Sequence, residues 1–154
     1  MTTFERLEQS AYKQHIELYT NPLPVKGLYY ADKDFAAITL STRLKTESER
    51  CEVLAHELGH HYTCPPNLFE ASKGIQGKYE LKAAVWAVKT LMPPSKLLDA
   101  WEAGIRDEWE LAEYLDVTVP FLRHGLEIYE EVYGQYIFIG KYCMKLRPVE
   151  VFIA

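Results

Sequence analysis

The stretch "LAHELGHHYT", residues 54–63, holds four side chains that are typical of a zinc site: His56, Glu57, His60 and His61. His56 and His60 lie four positions apart, which on a helix places both imidazoles on one face, within reach of one ion. Glu57 follows His56 and could lean over a water molecule that the ion activates. This is the logic of the H-E-x-x-H motif, which supplies two ligands and a base.

The residues around this motif predict the helix that it requires. In the preceding "TESE", Thr46 can accept a hydrogen bond from the backbone N–H of Glu49, and Glu49 can reach back, as in a capping box. Leu54 and Leu58, also four positions apart, are expected to anchor another helix face to the core. The sequence therefore predicts a helix over about 47–62, ended by "TCPPN".

A catalytic zinc site usually has three protein ligands and one open position, so a third ligand is expected elsewhere. His61 points about 100° around the helix from His60 and is interpreted as a polar or supporting residue. Cys64 would align with the two ligands on a continued helix, but Pro65 disfavours helical geometry at that position. Cys64 is therefore the weaker candidate.

Glu80 is the better candidate, because a carboxylate is a normal third zinc ligand. It is expected at the head of the next helix, "KYELKAAVWAVKTLM". The small residues Ala83, Ala84 and Ala87 would let this helix approach the motif helix closely. The alternative is an exposed first-turn acid that interacts favourably with the helix dipole. Spacing alone leaves both interpretations open.

The N-terminal part of the chain predicts one helix and one hairpin. An amphipathic helix is expected over residues 3–19, and "VKGLYY" and "FAAITL" are expected to form two strands joined by the turn "ADKD". An irregular segment is expected between the motif helix and about residue 77.

Helices are predicted again in the C-terminal part. After the prolines 93 and 94, Ser95 is expected to cap a helix that Gly104 ends, and a short helix over 107–115 is expected to follow. Thr118 is expected to cap the last helix, which runs to about residue 133. The segments "QYIFIG", "YCMKL" and "VEVFI" read as short strands. The predicted class is α+β and mostly helical, with strands near both ends.

Length, composition and net charge reduce the number of possible functions. The 154 residues fit a single domain over 1–154, with 48% hydrophobic and 25% charged residues. A net charge of −5 argues against a broad nucleic-acid surface, which needs clustered cations. We expect no secretory signal and no membrane span. The three widely spaced cysteines are typical of the reducing cytoplasm.

The sequence "VLAHELGHHYT", followed by "KYELKAAVWAVKTLMPPSKL", resembles the ImmA/IrrE metallo-endopeptidases, zinc proteins of phages, mobile elements and bacterial stress responses. The resemblance implies a zincin-like α+β fold. It also implies His56, His60 and Glu80 as zinc ligands and Glu57 as general base. Ala84 is a departure, because the family usually carries Asn or Asp there.

The family resemblance also implies a specific protein substrate, often a helix-turn-helix repressor encoded nearby. Residues 105–133 themselves look like a helix-turn-helix, which could read DNA or be a packed helical pair. The second of these helices carries Arg123 but also Glu127, Glu130 and Glu131. This acidic character favours the structural role, so direct nucleic-acid binding is not expected.

The sequence therefore predicts a cytoplasmic, zinc-dependent endopeptidase, with Tyr62, Tyr79 and His61 as candidates for stabilising the oxyanion. The rival hypothesis is a non-catalytic zinc-binding partner protein that binds a transcriptional regulator without cutting it. Glu57 counts against the rival, because a purely structural site needs no base and is usually closed by four ligands. A DNA-binding regulator is disfavoured by the acidic charge.

Overall fold

The computed structural model describes residues 1–64 and 73–153. Within them, the helices are α1 (Thr3–Lys13), α2 (Glu47–Thr63), α3 (Lys73–Leu91), α4 (Pro94–Glu102), α5 (Glu108–Leu115) and α6 (Val119–Tyr133). The strands are β1 (Glu17–Asn21), β2 (Gly27–Ala31), β3 (Ala36–Ser41), β4 (Tyr136–Ile139), β5 (Tyr142–Leu146) and β6 (Val149–Ile153). The fold is α+β, with a small sheet near each end and helices between, as the sequence predicts.

The chain forms two compact units, Met1–Ala87 and Val88–Ala154, and the boundary between them lies within α3. The expectation of one domain over residues 1–154 stays a prediction. The first unit holds the H-E-x-x-H motif and Glu80.

The sheet of the first unit has the order β1-β3-β2. The predicted hairpin is confirmed, because β2 pairs antiparallel with β3. Its turn is closed by Asp32, whose carboxylate accepts hydrogen bonds from the backbone N–H groups of Asp34 and Phe35, both at 2.8 Å. On β3, Ile38 and Leu40 are completely buried or nearly so. Helix α2 packs on this sheet and contacts β2 and β3.

The prediction of one helix over residues 3–19 is wrong beyond Lys13. His15 has a positive φ of 57°, a left-handed conformation that ends the helix, and the chain continues as β1. This strand pairs in parallel with β3, residue Leu18 lying beside Ile38. Its ladder of hydrogen bonds to a distant segment outweighs the local helical pattern.

Helix α2 begins and ends close to the predicted bounds. The Thr46 hydroxyl accepts from the backbone N–H of Glu49 at 3.1 Å, as predicted, whereas the Glu49 carboxylate accepts from the N–H of Lys45 at 2.8 Å. At the other end, Cys64 is extended, with φ −109° and ψ 143°, as the following proline predicts. Leu54 and Leu58 are fully buried, which confirms their anchoring role.

Helix α3 is longer than predicted. The expected irregular segment falls partly on residues 65–72, which lie outside the described residues, and its remainder, 73–77, is helical. A single glycine in a helix costs only about 1 kcal/mol relative to alanine, so Gly74 and Gly77 do not prevent a helix from extending through them.

The second unit contains the end of α3, α4 to α6 and a meander with the order β4-β5-β6. Ser95 is not the cap of α4; Pro93 occupies the cap position without a side-chain hydrogen bond. Gly104, with φ 88°, follows the end of α4 as predicted. Thr118 caps α6 by accepting from the N–H of Phe121 at 3.2 Å.

No helix in residues 1–64 and 73–153 combines the length and the apolar character that crossing a membrane requires.

Candidate metal centre

Helix α2 presents His56 and His60 on the same side. Their ring centroids lie 4.9 Å apart and their planes meet at 83°. The separation is what two residues one helical turn apart should show. Leu54 and Leu58 hold another face of α2 in the core, and His60 is itself buried.

Glu80 of α3 completes the cluster. Its Oε2 lies 3.0 Å from Nε2 of His56, and its Oε1 lies 2.8 Å from Nε2 of His60. One ligand atom from each of these three residues lies within 4.8 Å of the others. Glu80 does not lie in the first turn of α3, which contains no acidic residue. The interpretation as a first-turn acid is therefore wrong. Glu80 lies beside the two histidines, as the ligand interpretation requires, and its role as a metal ligand stays a prediction.

A close approach of two backbones brings the helices together. A Cβ built on Gly59 would lie 2.5 Å from the carbonyl oxygen of Ala83 and 3.0 Å from its Cα. Gly59 belongs to the same turn as His60, and Ala83 lies three positions after Glu80. The glycine thus sets the distance between the histidine pair and the carboxylate. This close approach of the two helices is the one that the small residues of α3 led us to expect.

The three candidate ligands are exposed to different degrees. The side chain of His60 is 10% exposed, that of His56 30% and that of Glu80 59%. Burial lowers the pKa of His60, although the Glu80 carboxylate opposes this effect. A lowered pKa favours the neutral imidazole, the form that binds a metal. His60 therefore lies on the buried side of the cluster, and Glu80 lies on the side that is open to solvent.

Glu57 lies beside the cluster but faces the sheet. It is 8% exposed, and Gly27 of β2 lies so close that an added Cβ would be 3.3 Å from its Oε1. Burial, and then the negative charge of Glu80, raise the pKa of Glu57 to about 7. A carboxyl group with this pKa can both take up and release a proton near neutral pH, as a general base must.

His61 lies outside the cluster, as the sequence predicts. Its Nδ1 lies 2.7 Å from the hydroxyl of Tyr29 on β2, and its Nε2 lies 3.3 Å from Oε1 of Gln14. Burial lowers the pKa of His61. The residue links α2 to β2 and to the segment after α1, which is a supporting role.

Cys64 is also outside the group of three donors, although it contacts one of them. Its sulfur lies 3.2 Å from Nδ1 of His60, whereas Nε2, the other ring nitrogen, faces Glu80. The argument from Pro65 against a ligand role thus agrees with the geometry. The contact joins residues four positions apart at the end of α2.

The other oxyanion candidates have contacts of their own. The hydroxyl of Tyr62 lies 3.0 Å from that of Ser10, and its ring stacks on Trp86 at 5.0 Å between centroids. The ring of Tyr79 lies under the ammonium group of Lys82. Tyr62 and Tyr79 are therefore placed by side chains that do not belong to the cluster.

Two residues near the site were missed by sequence reasoning: Gly27, which borders Glu57, and Tyr29, which contacts His61. They lie two positions apart on β2 and so point to the same face. A glycine inside a predicted strand is a signal for close backbone approach, and it could have pointed to Gly27. The sequence holds no comparable signal for Tyr29.

The segment that resembles a helix-turn-helix contains an ion pair across its two helices. Nε of Arg123 on α6 donates to the Glu108 carboxylate on α5 at 3.1 Å. His124, the other basic residue of the candidate recognition helix, lies 3.8 Å from Glu127. Both groups thus have acidic neighbours within the unit, which agrees with a structural role.

The donor set fits a divalent metal ion. Two imidazole nitrogens and one carboxylate converge without a fourth protein ligand in the described cluster, which is the composition of a catalytic zinc site. His56, His60 and Glu80 are the residues that would hold the ion.

Comparison with known proteins supports this assignment. Residues 11–127 match the model of a peptidase family, Peptidase_M78, whose description is "IrrE N-terminal-like domain". The matched region includes all three candidate ligands and Glu57. A comparison with curated proteins finds no match.

Proposed function

We propose that this chain, which belongs to the M78 family of ImmA/IrrE-type metallopeptidases, is a zinc-dependent endopeptidase that cleaves a specific intracellular protein. The observation that carries the proposal is the convergence of His56, His60 and Glu80 beside the buried carboxyl of Glu57. We further propose a helix-turn-helix repressor of a phage or mobile element as substrate, as the family resemblance implies.

Each residue has a role in peptide hydrolysis. A bound zinc ion would supply Lewis-acid activation of water and of the scissile carbonyl. Glu57 takes a proton from the attacking water as the new C–O bond forms, and then passes this proton to the leaving amine as the C–N bond breaks. Burial of Glu57, which raises its pKa, favours a carboxyl group that can accept a proton and release it again.

The geometry favours catalysis over the rival, a non-catalytic zinc-binding partner protein. A structural zinc site is usually closed by four protein ligands, whereas this cluster has three among residues 1–64 and 73–153 and faces solvent at Glu80. A structural site also has no use for a carboxyl group such as Glu57, which is buried without being one of the three donors.

The sheet supports a polypeptide substrate. In the described part of the chain, β2 is an edge strand that pairs only with β3, and its Gly27 borders Glu57. An extended peptide can add to such an edge through main-chain hydrogen bonds. A peptide bound there would lie next to the proposed base.

Metal analysis and cleavage assays test the proposal together. Purified protein should bind about one zinc per chain, and His56→Ala or His60→Ala should abolish this binding. Glu80→Ala should weaken it strongly. Glu57→Gln should keep the zinc but lower the cleavage rate of a repressor encoded beside the protein by roughly 10²–10⁴.

Three results would contradict parts of this proposal. If the purified protein binds no zinc at neutral pH, the metallopeptidase function is wrong. If Glu57→Gln cleaves at the parent rate, Glu57 is not the base. If zinc binds and Glu57 matters for another protein but not for the repressor, only the proposed substrate is wrong.

A further inference from the structure

Cys64 lies where a zinc-binding histidine needs a partner. An imidazole that binds a metal through one nitrogen carries its proton on the other, and that N–H is almost always donated to a fixed acceptor. In His60, Nε2 faces the carboxylate of Glu80 at 2.8 Å, so Nδ1 is the nitrogen left to donate. The atom in front of it, at 3.2 Å, is the sulfur of Cys64.

The sulfur is itself held from two sides. It lies 3.7 Å from the carbonyl oxygen of Tyr79, to which the thiol donates, and 3.6 Å from Oγ1 of Thr63. The hydroxyl of Thr63 in turn donates to the carbonyl of Gly59 at 2.6 Å. Tyr79 directly precedes Glu80 in the chain. The thiol therefore connects one candidate ligand on α2 to the backbone beside another on α3.

The end of α2 places the thiol in this position. The backbone N–H of Cys64 still donates to the carbonyl of His60 at 2.9 Å, while its φ and ψ are already extended. The residue thus remains attached to the last turn without continuing the helix.

We propose that Cys64 is a positioning residue for the metal ligand His60, whose Nδ1–H its sulfur accepts while the thiol is anchored to the carbonyl of Tyr79. The inference rests on the proposed metallopeptidase function. It assigns the cysteine no bond to zinc, because the sulfur contacts Nδ1, whereas Nε2 is the ring nitrogen that faces Glu80.

Zinc affinity measured by competition with a chromogenic chelator tests this proposal. Cys64→Ala removes the acceptor and should weaken zinc binding by roughly 10–100-fold, the usual cost of losing such a partner. Cys64→Ser keeps an acceptor and a donor and should stay within a few-fold of the parent. Cys143→Ala, a cysteine of β5, is the matched control and should bind zinc like the parent.

Cobalt substitution separates positioning from ligation. If Cys64 positions His60, cobalt-loaded parent protein should show no sulfur-to-cobalt charge-transfer band. A band that disappears in Cys64→Ala would make the cysteine a ligand and overturn the proposal. Equal zinc affinity of Cys64→Ala and parent would also overturn it, while leaving the proposed function intact.

A measurement on the parent protein covers the case in which Cys64→Ala does not fold. In the zinc-loaded protein, nitrogen-proton correlation spectra should show His60 protonated at Nδ1, with slow exchange of that proton. A proton on Nε2, or rapid exchange at Nδ1, would contradict the proposal. If the parent binds no zinc at all, the metallopeptidase function fails, and this inference fails with it.

Discussion

Gly59 on α2 and the backbone of Ala83 on α3 leave no space for a side chain between them. A Cβ at position 59 would lie 2.5 Å from the Ala83 carbonyl oxygen, a distance that real Cβ atoms essentially never show. Because the obstructing atom belongs to the backbone, a larger residue must displace one helix. Such a displacement would move Glu80 relative to His56 and His60.

Gly59→Ala should therefore damage the metal site before it damages the fold. Overpacking costs about 1–3 kcal/mol, and the better helix propensity of alanine offsets about 1 kcal/mol of this cost. We expect a small loss of stability but zinc binding weakened about tenfold or more, since ligand distances change. Isothermal titration and thermal unfolding measure the two effects.

Gly77→Ala is the matched control on α3, because nothing lies within 4 Å of a Cβ built there. It should raise stability by up to about 1 kcal/mol and leave zinc affinity unchanged. If the two alanine variants bind zinc equally well, the contact at Gly59 does not set the geometry of the site.

The raised pKa of Glu57 predicts a pH dependence of stability in the metal-free protein. Folding raises this pKa from 4.5 to about 7, so the folded state holds the proton more tightly than the unfolded state. The resulting stabilisation is complete below about pH 4.5 and is lost as pH rises through about 7. The shift corresponds to a loss of roughly 3 kcal/mol.

Comparison with Glu57→Gln isolates this effect, because most other ionisable groups contribute equally to both proteins. As pH rises from 4.5 to 8, the free energy of unfolding of the variant should increase relative to that of the parent by a few kcal/mol. Urea unfolding at several pH values measures the difference. Parallel curves for the two proteins would show that the pKa of Glu57 is not raised by folding.

Gly27→Ala should separate catalysis from metal binding. The new methyl group would meet Val53 at 2.5 Å and the Glu57 carboxylate at 3.3 Å, without touching the three ligands. We expect bound zinc to remain and peptide cleavage to fall, because β2 and the proposed base move apart. Zinc content and the kcat for cleavage test this, and loss of zinc in parallel with activity would be the contrary result.

Arg123→Ala tests whether the helical pair in the second unit reads DNA. The Arg123–Glu108 pair is exposed to solvent, where such pairs contribute little to stability. We expect a small change in melting temperature and no measurable binding to duplex DNA before or after the substitution. Fluorescence anisotropy at low salt would detect binding, and tight binding lost in the variant would favour the DNA-reading interpretation.

Local patterns were sufficient for much of the fold. The Thr46 and Thr118 caps and the hairpin around Asp32 depend on hydrogen bonds within three residues, so the sequence can predict them. The sequence predicts helix over β1 because Leu18 lies seven positions after Ala11, which is a helical spacing. The pairing of β1 with β3 depends on residues twenty positions away, which no local pattern encodes.

Local patterns likewise predict only part of the candidate site. His56, Glu57 and His60 follow from helical spacing, whereas spacing alone left Glu80 open between two interpretations. The family resemblance favoured the ligand role, and the structure explains the contact through the packing of Gly59 on Ala83. The contact of Tyr29 with His61 depends on tertiary structure, so the sequence could not predict it. The contact of Cys64 with His60 is local, four positions along the chain, but it depends on how the chain leaves α2.

The unequal exposure of the three ligands has a consequence for how fast an ion is captured. Glu80, the most exposed of them, is the group that a hydrated cation would meet first, and its negative charge would attract the cation over a Debye length of about 10 Å. His60, the least exposed of the three, would hold the ion from the buried side. We therefore expect the association rate of zinc to depend on Glu80 and on ionic strength, and its residence time to depend on His60.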